Sequence, residues 1–111
     1  MARLAEAGVL DDDRFARLYA RDKRELRGWG PDRLAEALRA RGVDEGIIDR
    51  VTSESDVQAA QRALEVLERC GAEAGDERSR QRALSLLARR GYTLEASYDA
   101  VRELERRSRA A

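Results

Sequence analysis

The sequence predicts an all-α fold of tandem three-helix, helix-turn-helix-like repeats, and three observations predict it. Pro31 is the only proline, and Ala, Leu, Arg and Glu outnumber β-branched residues, a composition that favours helix over strand. Apolar residues recur at helical spacing between charged faces. The chain also echoes itself: a shift of 49 residues lays Arg33, Leu38, Arg41 and Gly42 over Arg82, Leu87, Arg90 and Gly91. In both copies a helix ends in Arg-Gly, then comes one hydrophobic residue (Val43 or Tyr92), then a capping residue (Asp44 or Thr93). A unit of about 50 residues buries little by itself. Two such units are therefore expected to stack lengthwise as an elongated array.

Taken in order, a short stub at Ala2 to Ala7 leads in. Phe15, Leu18, Tyr19 and Leu26 then form the apolar stripe of a helix from Asp12 to about Leu26, whose other face carries arginines and acids. Asp11 or Asp12 is expected to cap it, with Asp13 favourably placed in the first turn. Gly28-Trp29-Gly30 breaks that helix, and Pro31 suits the first position of a second, with Leu34, Ala35 and Leu38 inward and Gly42 as terminator. Asp44 caps a short third helix that buries Ile47, Ile48 and Val51. Ser53 or Ser55 opens a fourth, striped by Val57, Ala60, Leu64 and Leu67 and ending at Gly71. Asp76 caps a fifth, carrying Ala83, Leu84 and Leu87 to a stop at Gly91, and Thr93 caps a sixth with Leu94, Tyr98, Val101 and Leu104 inward. The organisation expected is a lead-in at 1–10, one repeat at 11–52 and a second at 53–111, with a linker near 71–76.

Composition removes whole classes of function. Among 111 residues, 22 basic groups balance 22 acidic ones, so no net field draws the molecule to nucleic acid or membrane, and any electrostatic role is local. Lys23 is the only lysine, and the remaining cations are arginines, whose planar fork suits phosphate and carboxylate; a GC-rich genome produces the same bias. Cys70 is the sole cysteine and histidine is absent, which excludes an intrachain disulfide, zinc fingers and histidine-based catalysis. There is no glycine-rich phosphate loop and no nucleophile-base pair, so the chain is expected not to be an enzyme and to need no cofactor or metal. Asp11, Asp12 and Asp13 lack the Glu and Gly of a calcium loop. No apolar run approaches the ~20 residues of a membrane span, and a soluble, cytoplasmic protein without a membrane partner is expected.

Gly8-Val9-Leu10-Asp11-Asp12-Asp13-Arg14-Phe15-Ala16, with Tyr19 one turn on, resembles the central-repeat signature of the RecX family. Gly30, Arg33-Leu34, Leu38 and Gly42-Val43 match the next part of that repeat, and Leu86-Leu87-Ala88-Arg89-Arg90-Gly91-Tyr92 is similar to the final-repeat motif. The resemblance implies tandem three-helix repeats that bind along the groove of a RecA filament on single-stranded DNA, restraining ATP hydrolysis, strand exchange and co-protease activity in DNA repair and the SOS response. It implies a RecA filament and single-stranded DNA as partners, with at most weak duplex binding, for a protein acting as a monomer. Two departures stand out. Family members usually carry a further N-terminal three-helix repeat, where this chain has only the stub around Leu4, and Tyr92 replaces the usual phenylalanine, adding a hydroxyl.

Charge is uneven along the chain. Residues 43–77 hold three basic and ten acidic groups, whereas residues 78–111 hold nine and four. Within the basic end, Arg78, Arg82 and Arg89 follow helical spacing, flanked by Arg80 and Arg90. This face is expected either to meet DNA phosphates and acidic groups of the filament or to be a solvated surface offset by salt bridges to the acidic middle. Trp29, between two glycines, either closes the core beneath its loop or stacks on a base, and the first role is favoured. Phe15 and Tyr19 are read as core by their periodicity, and Gly42 and Gly91 as left-handed terminators. Two other readings stay open: a free-standing helix-turn-helix DNA-binding module, and a helical-repeat scaffold for protein partners.

Overall fold

The computed structural model describes residues 5–110, with side chains from Asp12 to Ala110. Six helices follow one another: α1 (Ala5–Arg27), α2 (Pro31–Ala40), α3 (Glu45–Thr52), α4 (Asp56–Arg69), α5 (Glu77–Arg90) and α6 (Leu94–Ala110). They assemble into a rod of 55 × 21 × 20 Å, the elongated all-helical stack that the internal echo predicts. Buried side chains form two clusters. Ala16, Leu38, Val43, Ile47 and Ile48 gather α1, α2 and α3, with Tyr19, Ala35 and Val51 packed against them. Ala63, Leu64, Val66, Leu67, Ala74, Ala83, Leu87, Tyr92, Ala100 and Val101 gather α4, α5 and α6.

Local chemistry sets most of the helix ends. The Asp44 carboxylate accepts from the Gly46 amide at 2.9 Å, and Ser55 and Gln58 form a reciprocal capping box at the start of α4. Asp76 and Ser79 do the same for α5, and the Thr93 hydroxyl accepts from the Ala96 amide. Gly42 and Gly91 both have left-handed φ, 84° and 94°. The amides of Val43 and Tyr92 reach back to the carbonyls of Leu38 and Leu87 at 3.1 and 3.0 Å, so the two echoed segments close in the same Schellman turn.

The first helix departs from expectation. It begins by Ala5, so Asp11 and Asp12 lie within α1 and are not its caps, and the segment expected as a separate stub merges into it from Ala5 onward; Met1 to Leu4 lie outside the described residues. Asp13 pairs instead with Arg17 and with Arg50 of α3. The buried stripe of α1 is Ala16 and Ala20, while Phe15 is 41% and Leu26 77% exposed. The reading of Phe15 as core is therefore corrected: the small residues face the neighbouring helices, and the ring lies one rung to the side. Val57, Leu94 and Tyr98 are displaced in the same way, because Ala59, Ala63, Ala96 and Ala100 occupy the inner faces of α4 and α6. Alanines at a crossing let helix axes approach closely.

The two triplets meet end to end through backbone. The amides of Gly30 and Asp32, at the start of α2, donate to the carbonyls of Arg90 and Gly91, at the end of α5, at 2.7 and 3.0 Å. Thus the orphan donors of one helix satisfy the orphan acceptors of another, and their dipoles run head to tail. Only glycine permits so close an approach. A Cβ on Gly30 would lie 2.6 Å from the Gly91 carbonyl oxygen, and one on Gly91 would lie 2.4 Å from Arg33 Cβ. Around this contact the Arg33 guanidinium donates to Arg89 O at 2.7 Å, that of Arg90 donates to Arg27 O at 2.8 Å, and the buried Tyr92 hydroxyl donates to Gly28 O at 3.0 Å. The hydroxyl that distinguishes Tyr92 from phenylalanine is thus a tie between the triplets.

Gly91→Ala is expected to destabilise the protein by well over ~1 kcal/mol, since it combines a positive φ with a backbone clash. Gly42→Ala, whose added Cβ meets nothing within 4 Å, should cost only about 1 kcal/mol. Thermal melts of the two variants check the order. Tyr92→Phe should lower stability by about 1 kcal/mol by orphaning the Gly28 carbonyl. Burial pushes the Tyr92 hydroxyl up to about 12. Because the folded state holds this proton more tightly than the unfolded chain, the contribution is complete below the ordinary tyrosine value of about 10. It is lost as pH rises through about 12. Denaturant titrations across that window should show the loss in the parent and a smaller one in Tyr92→Phe.

Candidate interaction interface

At the basic end three of the five arginines lie together on α5 and the two flanking ones turn to other partners. Arg78, Arg82 and Arg89 are exposed and border one shallow depression on α5 together with Glu77, Gln81 and Ser85. None of the three is in an ion pair among the described residues. Arg80 turns to the other side, where its guanidinium donates twice to Glu105 of α6, at 3.0 and 2.6 Å. That hydrogen-bonded carboxylate raises the Arg80 pKa above its ordinary value. Arg90 is held at the junction by Arg27 O and lies 3.8 Å from Cys70 Sγ. Of the basic groups on α6, Arg102, Arg106 and Arg107 pair with Asp99, Glu103 and Glu68. Hydrogen bonds from Arg106 and Arg107 hold the Glu103 carboxyl down at about 2. The unpaired cations of residues 78–111 are thereby reduced to a narrow strip on α5, Arg90 at the junction and Arg109 near the end of α6.

A second arginine surface was read from the sequence only as the wet side of α1. Arg14, Arg17, Arg21 and Arg24 follow one another at helical spacing and, with Arg50 of α3, line a groove of about 620 Å³ floored by Leu18, Ala20 and Val51. Asp13 is the only acid in that lining, and it is shared between Arg17 and Arg50. Arg24 spends its charge on a carbonyl, donating to Val51 O at 2.7 Å. Burial, and then the nearby charge of Arg62, lower the Arg24 pKa from its ordinary value. Arg14 and Arg21 have no ion-pair partner among the described residues. The signal was present as arginines at i, i+3, i+7 and i+10; which carboxylates answer them depends on α3, remote in sequence.

Trp29 belongs to neither buried cluster. Its half-buried ring meets Tyr19 edge-on at 6.4 Å between centroids, with the cations of Lys23 and Arg33 at 5.2 and 4.5 Å from its centre. The ring thus sits in cation–π contacts beside its loop and does not close either buried cluster.

A model of the second three-helix domain of RecX matches residues 11–51, the body of α1 together with α2 and nearly all of α3. The regulatory protein RecX of Halorhodospira halophila is 44% identical over 93 residues, covering 81% of this chain and 56% of that protein. Over most of its length the chain is thus similar to RecX proteins. Regulatory protein RecX of Pseudomonas entomophila is 41% identical over 95 residues (84% and 61% covered), and that of Mycolicibacterium smegmatis 34% over 107 residues (89% and 57%). The chain thus spans only 56–61% of the length of these RecX relatives. No solved structure matches it. Among the described residues, no helix is long and apolar enough to cross a membrane.

The two kinds of arginine differ in what they hold. Replacing Arg78, Arg82 and Arg89 together by alanine should leave the melting curve within about 0.5 kcal/mol of the parent. Arg90→Ala should cost about 0.5–1.5 kcal/mol by removing the donor to the Arg27 carbonyl, which water then replaces in part. Equilibrium unfolding of both variants separates surface from junction.

Proposed function

We propose that the chain is a non-enzymatic regulator that lies against a RecA-type filament on single-stranded DNA and restrains its ATP hydrolysis, strand exchange and co-protease activity. The observation that carries this reading is identity of 34–44% to regulatory RecX proteins over 81–89% of the chain. The architecture supports it. A rod of 55 Å offers an extended surface along its length, and its two triplets, at 11–52 and 53–111, are joined by backbone contacts that fix the spacing of its arginine faces. Binding of this kind acts by occupying the groove, and requires no nucleophile, metal or cofactor. The unpaired guanidinium groups of Arg78, Arg82 and Arg89, and the groove around Arg14 and Arg21, supply charge-assisted contacts to phosphates or carboxylates.

Rates of ATP hydrolysis by the cognate recombinase on single-stranded DNA provide the test, with parallel binding to bare duplex at several salt concentrations. The expected result is a rate that falls as the protein is added, with duplex binding weak throughout. The triple alanine variant at Arg78, Arg82 and Arg89 should require at least several-fold more protein for the same effect. An unchanged rate together with steeply salt-dependent duplex binding would assign the chain to free-standing DNA recognition instead.

A further inference from the structure

The groove between α1 and α3 joins positive walls to an apolar floor. Arg14, Arg17, Arg21 and Arg24 stand at i, i+3, i+7 and i+10 on α1 and run for about 15 Å at helical rise, with Arg50 of α3 on the opposite wall. Leu18, which is 44% exposed, lies midway along that row, and Val51 flanks it from α3. The groove already answers arginine with carboxylate once. Asp13 accepts from Arg17 at 2.7 Å with one oxygen and from Arg50 at 3.2 Å with the other. Arg24 is engaged by Val51 O at 2.7 Å. Arg14 and Arg21, both exposed, are in no ion pair among the described residues, so the charges on either side of Leu18 are unmatched.

We propose that this groove is a docking site for an acidic amphipathic helix of a partner protein, its carboxylates meeting Arg14 and Arg21 and an aliphatic side chain between them seated on Leu18 and Val51. Spacing favours a helix. Acids at i, i+3 and i+7 of a second helix rise at the same rate as the arginines, so one register matches successive pairs. The floor disfavours nucleic acid: none of the residues lining the groove is aromatic, and a base has no ring on which to stack. Nor do backbone amides offer a cradle for phosphate. Helix α1 passes the groove in its interior, and α3 turns toward it the C-terminal end, where carbonyls are the free groups. A phosphate chain would also leave the aliphatic strip uncovered, whereas a helix with one acidic and one aliphatic edge covers both parts. The assignment chooses carboxylate over phosphate for a groove already named in the filament reading, and rests on that reading only for which protein supplies the helix.

The probe is a dye-labelled, alanine-based helical peptide of about fifteen residues, with glutamates at i, i+3, i+7 and i+10 and leucine at i+4. Its anisotropy is titrated with the protein, beside a scrambled peptide of the same composition. The expected result is binding about tenfold tighter than that of the scrambled peptide, with an oligothymidylate of equal charge a poor competitor. Arg14→Glu and Arg21→Glu together should weaken binding by at least about tenfold. A peptide with lysines in place of the glutamates should bind this reversed variant and not the parent, which shows that the variant is folded and that the contact is a charge pair. Leu18→Ser should weaken the glutamate peptide about fivefold through loss of the aliphatic contact. Equal binding of the scrambled peptide would reduce the groove to unspecific charge, and displacement by oligothymidylate at matched concentration would make it a phosphate site. Either result overturns the proposal, as does a lysine peptide that fails to prefer the reversed variant. If the glutamate peptide binds while recombinase ATP hydrolysis is untouched, the groove stands and the filament reading falls; if hydrolysis is restrained and the peptide does not bind, the reverse holds.

Discussion

Helix α2 begins where helix α5 ends, and the rest of the molecule depends on that meeting. Every helix leaves amides unsatisfied at its start and carbonyls at its end. Here two of each cancel across 60 and 59 residues of chain, from Gly30 to Arg90 at 2.7 Å and from Asp32 to Gly91 at 3.0 Å. The start of α2 has Gly30 at its cap position and no side-chain cap, because the end of another helix serves in its place. Each triplet is small, and a small unit has a poor ratio of buried to exposed surface. Satisfying helix ends against each other, with Arg33, Arg90 and Tyr92 clasping the seam, makes one longer cooperative body from two marginal ones.

What was legible in the sequence was what is decided locally. Asp44, Ser55, Asp76 and Thr93 act as caps, Pro31 opens α2, and Gly42 and Gly91 turn left-handed. All of these follow from side chains meeting their own backbone within four residues. Illegible were the matters decided by remote partners. Asp11 and Asp12 carry the chemistry of a cap, yet α1 runs through them from Ala5. Phe15, Leu18, Val57, Leu94 and Tyr98 mark an apolar stripe, yet alanines at the crossings take the inner positions and the larger residues stand at the rim. Periodicity locates the apolar side of a helix to within one rung, and only the neighbouring helix decides which rung is innermost.

The same division holds for the interaction surfaces. A run of arginines reads alike in sequence whether its members bind a carboxylate, a carbonyl or nothing. In the fold, Arg80 is matched by Glu105, Arg90 by the Arg27 carbonyl and Arg107 by Glu68 and Glu103, and Arg78, Arg82 and Arg89 remain outward. A chain with no net charge thus presents local positive strips on a rigid rod, where their separation is set by the seam. Recognition by such a molecule depends on spacing and register more than on long-range attraction, because the acidic middle cancels the field at distances beyond about 10 Å at moderate salt.

The seam itself is open to direct measurement by native-state hydrogen exchange of single amides. If the triplets form one body, the amides of Gly30 and Asp32 exchange only when the whole protein unfolds, as slowly as those of the buried Leu38 and Leu87. Rapid exchange at Gly30 and Asp32 while Leu38 and Leu87 stay protected would show two units swinging on a loose connection, and would contradict the account.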